Sequence, residues 1–567
     1  MERLKSKGFI AFAAAALVLV GVAAVAELAR PARAVNPRLE RLLPADAVGF
    51  VEVNDLRAQA LKVIESEAWR EFSKQNSAAS SLFMIGANHA GALDASYAVA
   101  LLGVGGESGR PEPQFVVVAQ FNDWQERYTF ENRVLRFIRD GQSKGVEVKT
   151  EEVDGARVCT VRRLGVHRFT YAVKDSLLVV SNADAPVRRV LDVRAGRAPS
   201  LETNEKFKQA RAGSGAVDGM FGYLDGAALT AIVDGAPAGE GERAAERVAA
   251  FRQLFHGVGA ASVQSASFTS AFEDGRVVER FQLVAPAREG VLATVAANPP
   301  TQGALLALVP EDAVQAFDAS VANAPQTFDQ MIALASQFGP RPGGRGPADA
   351  LAEFTEKTGV DFRAEIVGAL GGEFCAAQLT SRTSEEGASG VLLLNVRDER
   401  AFAETLAKFA EKHGRAVSER DYKGVTVRRI AGEKGGGLEY AFVGGAFVAS
   451  GKGPAVERVI DTAKGGRSLK ESAAYQSAAA QSKAQPQFVY FNSNVDYLNG
   501  LGRQLQGGEQ EFKTEGQRAS LRPSFAFGVT REDGFYVESR TPLGTFPRML
   551  TAVTSKLGGE QGQGDGK

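Results

Sequence analysis

The hydrophobic and polar positions of this chain change their period several times. Residues 47–53 alternate apolar and polar side chains, which is typical of a strand, whereas residues 56–72 have apolar residues at helical spacing. Residues 146–163 read as two strands around Asp154-Gly155, a dipeptide that suits a tight hairpin turn. Because hairpins outnumber strand–helix–strand crossovers, the pattern predicts an α+β fold with largely antiparallel sheets and packed helices.

More turns and one helix end can be placed from glycine and its neighbours. A short helix in APVRRVLDVRAG, residues 185–196, is expected to end at Gly196, because glycine readily adopts the left-handed conformation of a C-terminal cap. Four more hairpins are predicted around the pairs Lys174-Asp175, Gly444-Gly445, Asp274-Gly275 and Asp533-Gly534.

The chain also repeats itself. Residues 171–196, YAVKDSLLVVSNADAPVRRVLDVRAG, recur without gaps at 440–465 as YAFVGGAFVASGKGPAVERVIDTAKG, with nine of 26 positions identical. Shorter blocks recur in the same order, for example LPADAV and VPEDAV, then EDGRVVE and EDGFYVE. We therefore predict a tandem duplication of two similar domains.

The predicted boundaries follow from the repeat and from composition. An export signal or membrane anchor with its linker is expected in residues 1–36, and the two α+β repeats in residues 37–295 and 303–545. Both sequence periods break at AANPPTQG, between the repeats. Residues 546–567 are expected to form a short helix and a disordered, Gly-rich tail.

The N-terminus carries an export signal. Arg3, Lys5 and Lys7 precede an uncharged apolar stretch over residues 8–26. This stretch ends in Ala-Val-Ala, which fits cleavage near Ala26, and it is also long enough to span a bilayer as an uncleaved anchor. Both alternatives place the body in the periplasm or outside the cell, either membrane-anchored or secreted.

Composition narrows the class of protein. Hydrophobic residues make up 44% of the chain and charged residues 23%, which is typical of a globular protein. The net charge is −1, with 66 basic and 67 acidic residues. A nucleic-acid partner is not expected, because counterion release needs a basic surface.

A search for chemical motifs predicts no catalytic residue, metal site or cofactor. The four histidines are isolated in sequence, and the chain has no GxSxG or GxxxxGK[ST] motif. The two cysteines, Cys159 and Cys375, lie at positions of the two repeats that do not correspond, and we expect them to be buried thiols. A disulfide between them is the alternative.

Two arginine pairs are the only candidate binding residues. Arg162-Arg163 and Arg428-Arg429 occupy matching places near the end of a predicted strand in each repeat. They are weak candidates for an anion or lipid-headgroup site. The alternative is that they are solvated residues of a sheet edge, where charge discourages aggregation.

Three segments resemble one known family. They are PADAVGFVEV from residue 44, TGVDFRAEIVGALGGEFCAAQL from residue 358, and the repeated block from residue 171. They look like an exported bacterial family of unassigned function, domain of unknown function 3352. The resemblance is expected to cover nearly all of the chain after the export segment. It implies an envelope location and no catalytic residues.

Three functions stay open. The first is a non-catalytic envelope protein, tethered or secreted, whose two repeats bind another envelope component. The second is a carrier or sensor of an apolar ligand or lipid, since phenylalanine supplies 34 aromatic residues against ten tyrosines and two tryptophans. The third is an enzyme of unfamiliar type, which would need a cluster of titratable groups with perturbed pKa values. The expected partners are the membrane, through the N-terminal segment, and an unknown envelope protein or lipid.

Overall fold

The computed structural model describes most of the chain between residues 38 and 544. The described ranges are 38–54, 66–68, 70–71, 95–105, 112–122, 146–214, 219–237, 242–337, 346–380, 389–432, 436–451, 454–480, 485–494 and 521–544, with a few single residues between them. The predicted export segment 1–36, most of the predicted helix 56–72 and the tail 546–567 lie outside these ranges. Among the described helices, none has the length and apolar character needed to cross a membrane.

The described residues form a single antiparallel sheet with helices packed on it, which confirms the predicted α+β class. Its twenty strands are β1 (Gly49–Val53), β2 (Ala95–Gly105), β3 (Glu112–Phe121), β4 (Val146–Val153), β5 (Ala156–Arg163), β6 (Val166–Lys174), β7 (Leu177–Ser181), β8 (Gly219–Asp225), β9 (Ser265–Glu273), β10 (Arg276–Val284), β11 (Ala313–Ser320), β12 (Leu370–Leu379), β13 (Ser389–Val396), β14 (Val417–Tyr422), β15 (Val425–Ala431), β16 (Gly437–Val443), β17 (Ala446–Ser450), β18 (Phe488–Asn492), β19 (Ser524–Arg531) and β20 (Gly534–Thr541).

Helices connect the strands on both faces of the sheet. The α-helices are α1 (Asp184–Arg194), α2 (Glu205–Gly213), α3 (Gly226–Gly235), α4 (Glu242–Gly257), α5 (Gly290–Ala296), α6 (Ala324–Gln337), α7 (Pro347–Thr358), α8 (Glu399–Lys412), α9 (Ala455–Ala463) and α10 (Ala473–Ala479). Short 3-10 helices lie at Leu39–Leu42, Leu201–Thr203, Ala260–Ser262, Leu305–Ala307, Val367–Ala369 and Leu469–Glu471, and one π-helical turn at Phe362–Ile366.

The two halves of the sheet have the same strand order. In the first half the order is β4-β5-β6-β7-β3-β2-β1-β8-β9-β10. In the second half it is β14-β15-β16-β17-β13-β12-β11-β18-β19-β20. The last strands of the two halves, β10 and β20, pair antiparallel over their length and join the halves at a central seam.

Most predicted turns lie where the sequence places them. Asp154 and Gly155 both have positive φ angles, 53° and 70°, and so do Gly444 and Gly445, at 59° and 82°. Positive φ at both central residues is the geometry of the tight hairpin turn that Asp-Gly and Gly-Gly favour. Asp274-Gly275 has the same geometry.

Two predicted turns are displaced by one residue. Lys174 still pairs with Leu177 at the end of β6, so the turn consists of Asp175 and Ser176 rather than Lys174 and Asp175. Aspartate tolerates the left-handed conformation better than lysine, and Asp175 has φ 50°. Gly534 already pairs with Arg531, which moves that turn to residues 532–533.

Helix α1 ends as predicted. Gly196 has φ 74°, and its backbone N–H donates to the Val193 carbonyl at 3.0 Å. This bond satisfies one of the carbonyls that a helix end leaves without a partner.

Two extended apolar cores cover the same face of the sheet. In the first half, α1 and α2 pack on Phe50, Val118 and Phe221, and in the second half α9 and α10 pack on Cys375, Leu393 and Val448. A fully buried large apolar side chain contributes about 1.5–3 kcal/mol, so these clusters stabilise each half. On the opposite face, α8 covers the flank of the second half, where Phe402 packs with Tyr440 and Phe447.

Candidate functional site

A buried carboxyl lies in the apolar core of the first half. Glu52 is almost fully buried in β1, with Ala98 and Phe221 as its register neighbours. Its carboxylate forms an ion pair with Arg211 and accepts a hydrogen bond from the Asn54 amide at 3.3 Å. A buried carboxylate is costly unless a cation compensates it, and here Arg211 does so.

Helix α2 places that arginine. Asn204 caps the helix by accepting a hydrogen bond from the backbone N–H of Phe207 at 3.2 Å. The Phe207 ring meets Phe221 edge-on at 5.8 Å, and the Arg211 guanidinium lies 4.3 Å from the centroid of the Phe221 ring. Burial raises the pKa of Glu52, and the charge of Arg211 opposes that rise.

A second buried carboxyl lies at the matching place in the second half. Asp318 is fully buried in β11, between Cys375 on β12 and Val489 on β18. Both neighbours belong to the apolar core under α9 and α10.

Position in the fold, as well as sequence, relates the two carboxyl groups. Pro44 forms an isolated bridge with Ser200, and Pro310 forms the same bridge with Ser468. Each carboxyl residue follows its proline by eight residues, on the strand that the bridge precedes. The two acids therefore occupy corresponding places in the two halves.

The second half lacks the compensating arginine. Ser472 caps α10 through the backbone N–H of Tyr475, as Asn204 caps α2. Seven residues after each cap, Ala479 stands in α10 where Arg211 stands in α2. Asp318 therefore receives no cation from this helix.

A hydroxyl and a second carboxyl take the place of the arginine. Thr301 Oγ1 lies 2.6 Å from Asp318 Oδ2 and 3.0 Å from Glu373 Oε1, and it accepts a hydrogen bond from the Gly303 backbone N–H at 3.1 Å. A hydroxyl has one proton to donate, so it donates to one carboxyl only. The contact between Thr301 and the remaining carboxyl is favourable when this second carboxyl is protonated and donates its own proton to the Thr301 oxygen. This geometry fits a carboxyl pair that retains one proton.

The surroundings of Asp318 support this protonation. Burial raises the pKa of Asp318 to about 8; the adjacent Glu373 adds to the rise and the Thr301 hydroxyl opposes it. Burial also raises the pKa of the Cys375 thiol and of the Tyr475 hydroxyl, and Asp318 adds to both effects. Asp318, Cys375 and Tyr475 therefore favour their neutral forms in this core.

One cation lies near the pair but is held elsewhere. The Lys470 ammonium donates to the backbone carbonyls of Gln302 at 2.8 Å and Gly303 at 3.2 Å. Its charge lowers the pKa of Asp318 without reversing the effect of burial. Lys470 thus fixes the loop that carries Thr301.

A charged network joins the two halves at the seam. Arg280 on β10 donates two hydrogen bonds to Glu273, at 2.6 and 2.8 Å, and one to Glu538 on β20 at 3.3 Å. Glu538 also accepts from Tyr536 Oη at 2.6 Å and from Arg540 at 2.7 Å. These charge-assisted hydrogen bonds satisfy Glu538, which is buried.

One register row contains both carboxyl groups and the seam pair. The directly opposed residues from β1 to β11 are Glu52, Phe221, Thr269, Arg280, Glu538, Phe527, Val489 and Asp318. Opposed residues point to the same face of a sheet. Four ionisable residues, Glu52, Arg280, Glu538 and Asp318, thus lie in one row on the sheet face that the two apolar cores cover.

The arginine pairs predicted from sequence lie far apart in strand order. Arg162 and Arg163 end β5, near one edge of the sheet, and Arg428 and Arg429 lie in β15, near the other. Arg428 pairs with Glu419 at 2.7 Å, and Arg429 lies 3.6 Å from a carboxylate oxygen of Glu439. The fold therefore does not combine the two pairs in one site.

The histidines and cysteines are also accounted for. His256 lies 2.8 Å from Asp234, the His413 ring packs against Phe409 at an interplanar angle of 51°, and His89 lies outside the described residues. His167 Nε2 lies 3.0 Å from the Thr170 hydroxyl and 3.4 Å from Asp184. No group of three potential metal ligands occurs among the described residues. Both cysteines are buried free thiols, as predicted.

The sequence search missed Glu52, Asp318 and Glu373. An available signal was the repeat itself: continuing the LPADAV and VPEDAV blocks by four residues aligns Glu52 with Asp318. An acid at one position of two otherwise apolar strands is unusual enough to indicate a special environment. Their polar partners Arg211, Thr301 and Glu373 are distant in sequence and could not be assigned to them.

Comparison with known proteins gives a family for part of the chain. Residues 292–526 match the profile of a family described as "Protein of unknown function (DUF3352)". The match covers less than half of the chain, which is less than the sequence analysis expected. No curated protein matches this chain.

Similar solved structures include two crystal forms of TP0453. Crystal form III has a TM-score of 0.24 and 10% identity, covering 45% of this chain and 82% of that one. Crystal form I has a TM-score of 0.23 and 9% identity, covering 45% and 81%. The family profile therefore identifies residues 292–526, in the second half of this chain, as similar to DUF3352, the family whose resemblance was predicted from the sequence.

Proposed function

We propose that this protein is a non-catalytic, exported envelope protein: a binding or scaffold module built from two tandem repeats and tethered by its N-terminal segment. The basic residues before the apolar stretch 8–26 support export and tethering. The family profile in the second half carries no catalytic assignment.

Tandem duplication accounts for the architecture. Both halves have the same strand order, the same proline bridge and a buried acid at the same place. The two copies differ at the position of Arg211, which is Ala479 in the second half. Such a difference is expected once two copies of a duplicated unit evolve separately within one protein. The extended surface formed by joining the copies at β10 and β20 suits a scaffold.

The observation that carries the proposal is an apolar row on the face opposite the buried acids. It runs through directly opposed residues from β2 to β12: Val99, Val51, Gly222, Phe268, Phe281, Val537, Gly528, Phe488, Ala319 and Phe374. Phe281 at the seam is 40% exposed, its neighbours Phe268 and Val537 are half-buried, and Val51 and Val99 are exposed three and four strands away. Exposed apolar side chains on one sheet face are characteristic of an interaction site.

The polar groups argue against catalysis. Glu52 pairs with Arg211, and the Asp318–Glu373 pair lies in an apolar core in contact with Thr301. A general acid or base must reach a substrate atom, whereas Asp318 is fully buried among protein groups. The raised pKa values thus follow from packing in a core.

A carrier of an apolar ligand or lipid is the second candidate. Phe317 lies 5.8 Å from Phe374 and 5.9 Å from Phe488, ring centroid to centroid, and all three rings are half-buried on the apolar face. Such a cluster suits an acyl chain as well as a protein side chain.

Phe281→Ser tests the binding surface. The variant makes the centre of the row polar, and Phe251→Ser is the matched control, since Phe251 is an exposed phenylalanine of α4. We expect only Phe281→Ser to reduce the size of the complex extracted from envelope membranes in mild detergent, with thermal melting confirming that both variants fold. Equal sizes for both variants would contradict the proposed surface, and a stoichiometric lipid lost only in Phe281→Ser would favour the carrier.

A further inference from the structure

The turn between β5 and β6 has an unusual composition for its geometry. Leu164 and Gly165 form a two-residue turn with φ 52° and 75°, closed by the pair Arg163 and Val166. A turn with positive φ at both central residues favours Asn or Asp at the first place, as in Asp154-Gly155 and Asp274-Gly275. Leucine in this conformation is strained.

The strained leucine is also highly exposed. Leu164 is 76% exposed and Val166 is 56% exposed, so the tip presents two apolar side chains to the surroundings. Neither the turn geometry nor core packing requires them there. A residue that costs local stability and gains no burial points to an external contact.

Arginines flank these apolar side chains in the sequence. Arg162 and Arg163 precede Leu164, and Arg168 follows Val166. The three guanidinium groups make no ion pair with any residue that the structure describes. Glu147 lies opposite Arg162 in the strand register, again without an ion pair. His167 lies beside Asp184 instead.

The corresponding arginines of the second half differ. Arg428 and Arg429 both have carboxylate partners, Glu419 and Glu439. Among the residues that the structure describes, the arginines of the first pair therefore lack the carboxylate partners that those of the second pair have. A leucine that enters the acyl boundary, with arginines at the headgroup level, is the arrangement used by interfacial membrane segments.

We infer that the β5–β6 tip, residues 162–168, docks on the surface of a bilayer that contains anionic lipids. Leu164 and Val166 insert at the acyl boundary, while Arg162, Arg163 and Arg168 bind the phosphate-containing headgroups. This inference rests on the envelope location proposed above. It adds a second, peripheral membrane contact that would orient the body.

Depth-dependent fluorescence quenching tests the inference on the full chain reconstituted in vesicles. Tryptophan is placed at the tip by Leu164→Trp, and at a matched turn of the same geometry by Asp274→Trp; the parent chain gives the background from its own two tryptophans. The vesicles contain brominated phosphatidylcholine, with or without phosphatidylglycerol. Reconstitution holds the protein at the membrane, so the result does not depend on where the cell places it.

We expect quenching of the tryptophan at 164 to exceed that at 274 by at least twofold with phosphatidylglycerol. Without it, or with all three arginines changed to glutamine, quenching is expected to fall to the level of the control. Equal quenching at 164 and 274 in anionic vesicles would overturn docking, and equal quenching with and without phosphatidylglycerol would overturn the role of the arginines.

A second variant separates lipid contact from folding. Leu164→Asn places at the tip a residue that favours this turn, so thermal stability should be unchanged or higher. In the full chain carrying Glu147→Cys, opposite Arg162 in the register, labelled with an environment-sensitive dye, we expect Leu164→Asn to abolish the blue shift that anionic vesicles induce. An undiminished blue shift would overturn the role of Leu164.

Discussion

Glu52 and Asp318 lie in the same register row of one antiparallel sheet, seven strand steps apart. At about 4.8 Å per step, roughly 34 Å of sheet separates them along the row. The two halves accommodate a buried acid differently: the first supplies Arg211, and the second supplies the Thr301 hydroxyl and the neighbouring Glu373 carboxyl.

The stability of the second half should fall as the pH rises. The pKa of Asp318 is about 8 in the folded chain, against an ordinary value near 4, so the folded state binds the proton more tightly than the unfolded state. The stabilisation is fully present below about pH 4 and is lost as the pH rises to about 8. Asp318→Asn keeps a neutral side chain, so we expect it to flatten this dependence and to exceed the parent in stability at pH 8.

Urea denaturation at pH 5, 6, 7 and 8, followed by hydrogen exchange of β11 and β12, measures this slope. Asp461→Asn provides a matched control, because Asp461 is an acid near the surface of the same half. An unchanged slope in Asp318→Asn would contradict the protonated pair.

The ion pair of the first half should behave as a coupled unit. Arg211→Met leaves the buried Glu52 carboxylate uncompensated, which costs about 3 kcal/mol. Glu52→Gln should cost less, because the Arg211 side chain is 27% exposed and keeps contact with water. The double variant removes both charges, so we expect it to cost less than the sum of the single changes. A double-mutant cycle in urea gives the coupling energy, and simple additivity would show that the pair is not coupled.

The seam network should hold the two halves together. Arg280→Met removes three charge-assisted hydrogen bonds between β10, Glu273 and Glu538, and we expect it to cost about 2 kcal/mol and to speed hydrogen exchange in β10 and β20. Arg400→Met removes the exposed pair with Glu404 and should change stability by less than about 0.5 kcal/mol. Similar effects of both changes would contradict a special role for the seam.

The two thiols should be unreactive in the folded protein. Cys159 and Cys375 are buried, and burial raises the pKa of Cys375, so little thiolate is accessible to a reagent. We expect no labelling by a thiol-specific reagent at pH 8 in native buffer and two labels per chain in denaturant. Intact mass before and after unfolding checks this, and one native label per chain would show that a thiol is exposed.

Local sequence signals placed much of the fold. The turn at Asp154-Gly155 and the helix end at Gly196 follow from residues that tolerate positive φ, and the structure has them where predicted. The turn near Lys174 was displaced by one residue because strand pairing, which acts between distant residues, fixed its end. Local preference therefore located the turns to within one residue.

The site could not be placed in the same way. The contact between Asp318 and Glu373 depends on the pairing of β11 with β12, and Arg211 reaches Glu52 from a helix far along the chain. No short sequence motif indicates either contact, because the partners are distant along the chain. The repeat identified the corresponding strands, but only the packed core explains why Ala479 in place of Arg211 leaves Asp318 to share a proton.

The apolar row that crosses the seam is proposed to bind an envelope partner. Site-specific photocrosslinking in growing cells tests it most directly, with a benzophenone side chain at position 281 and, as control, at position 251. We expect a discrete cross-linked product in the membrane fraction from position 281 alone. The absence of that product, its equal formation from position 251, or recovery of the chain in the cytoplasm would contradict it.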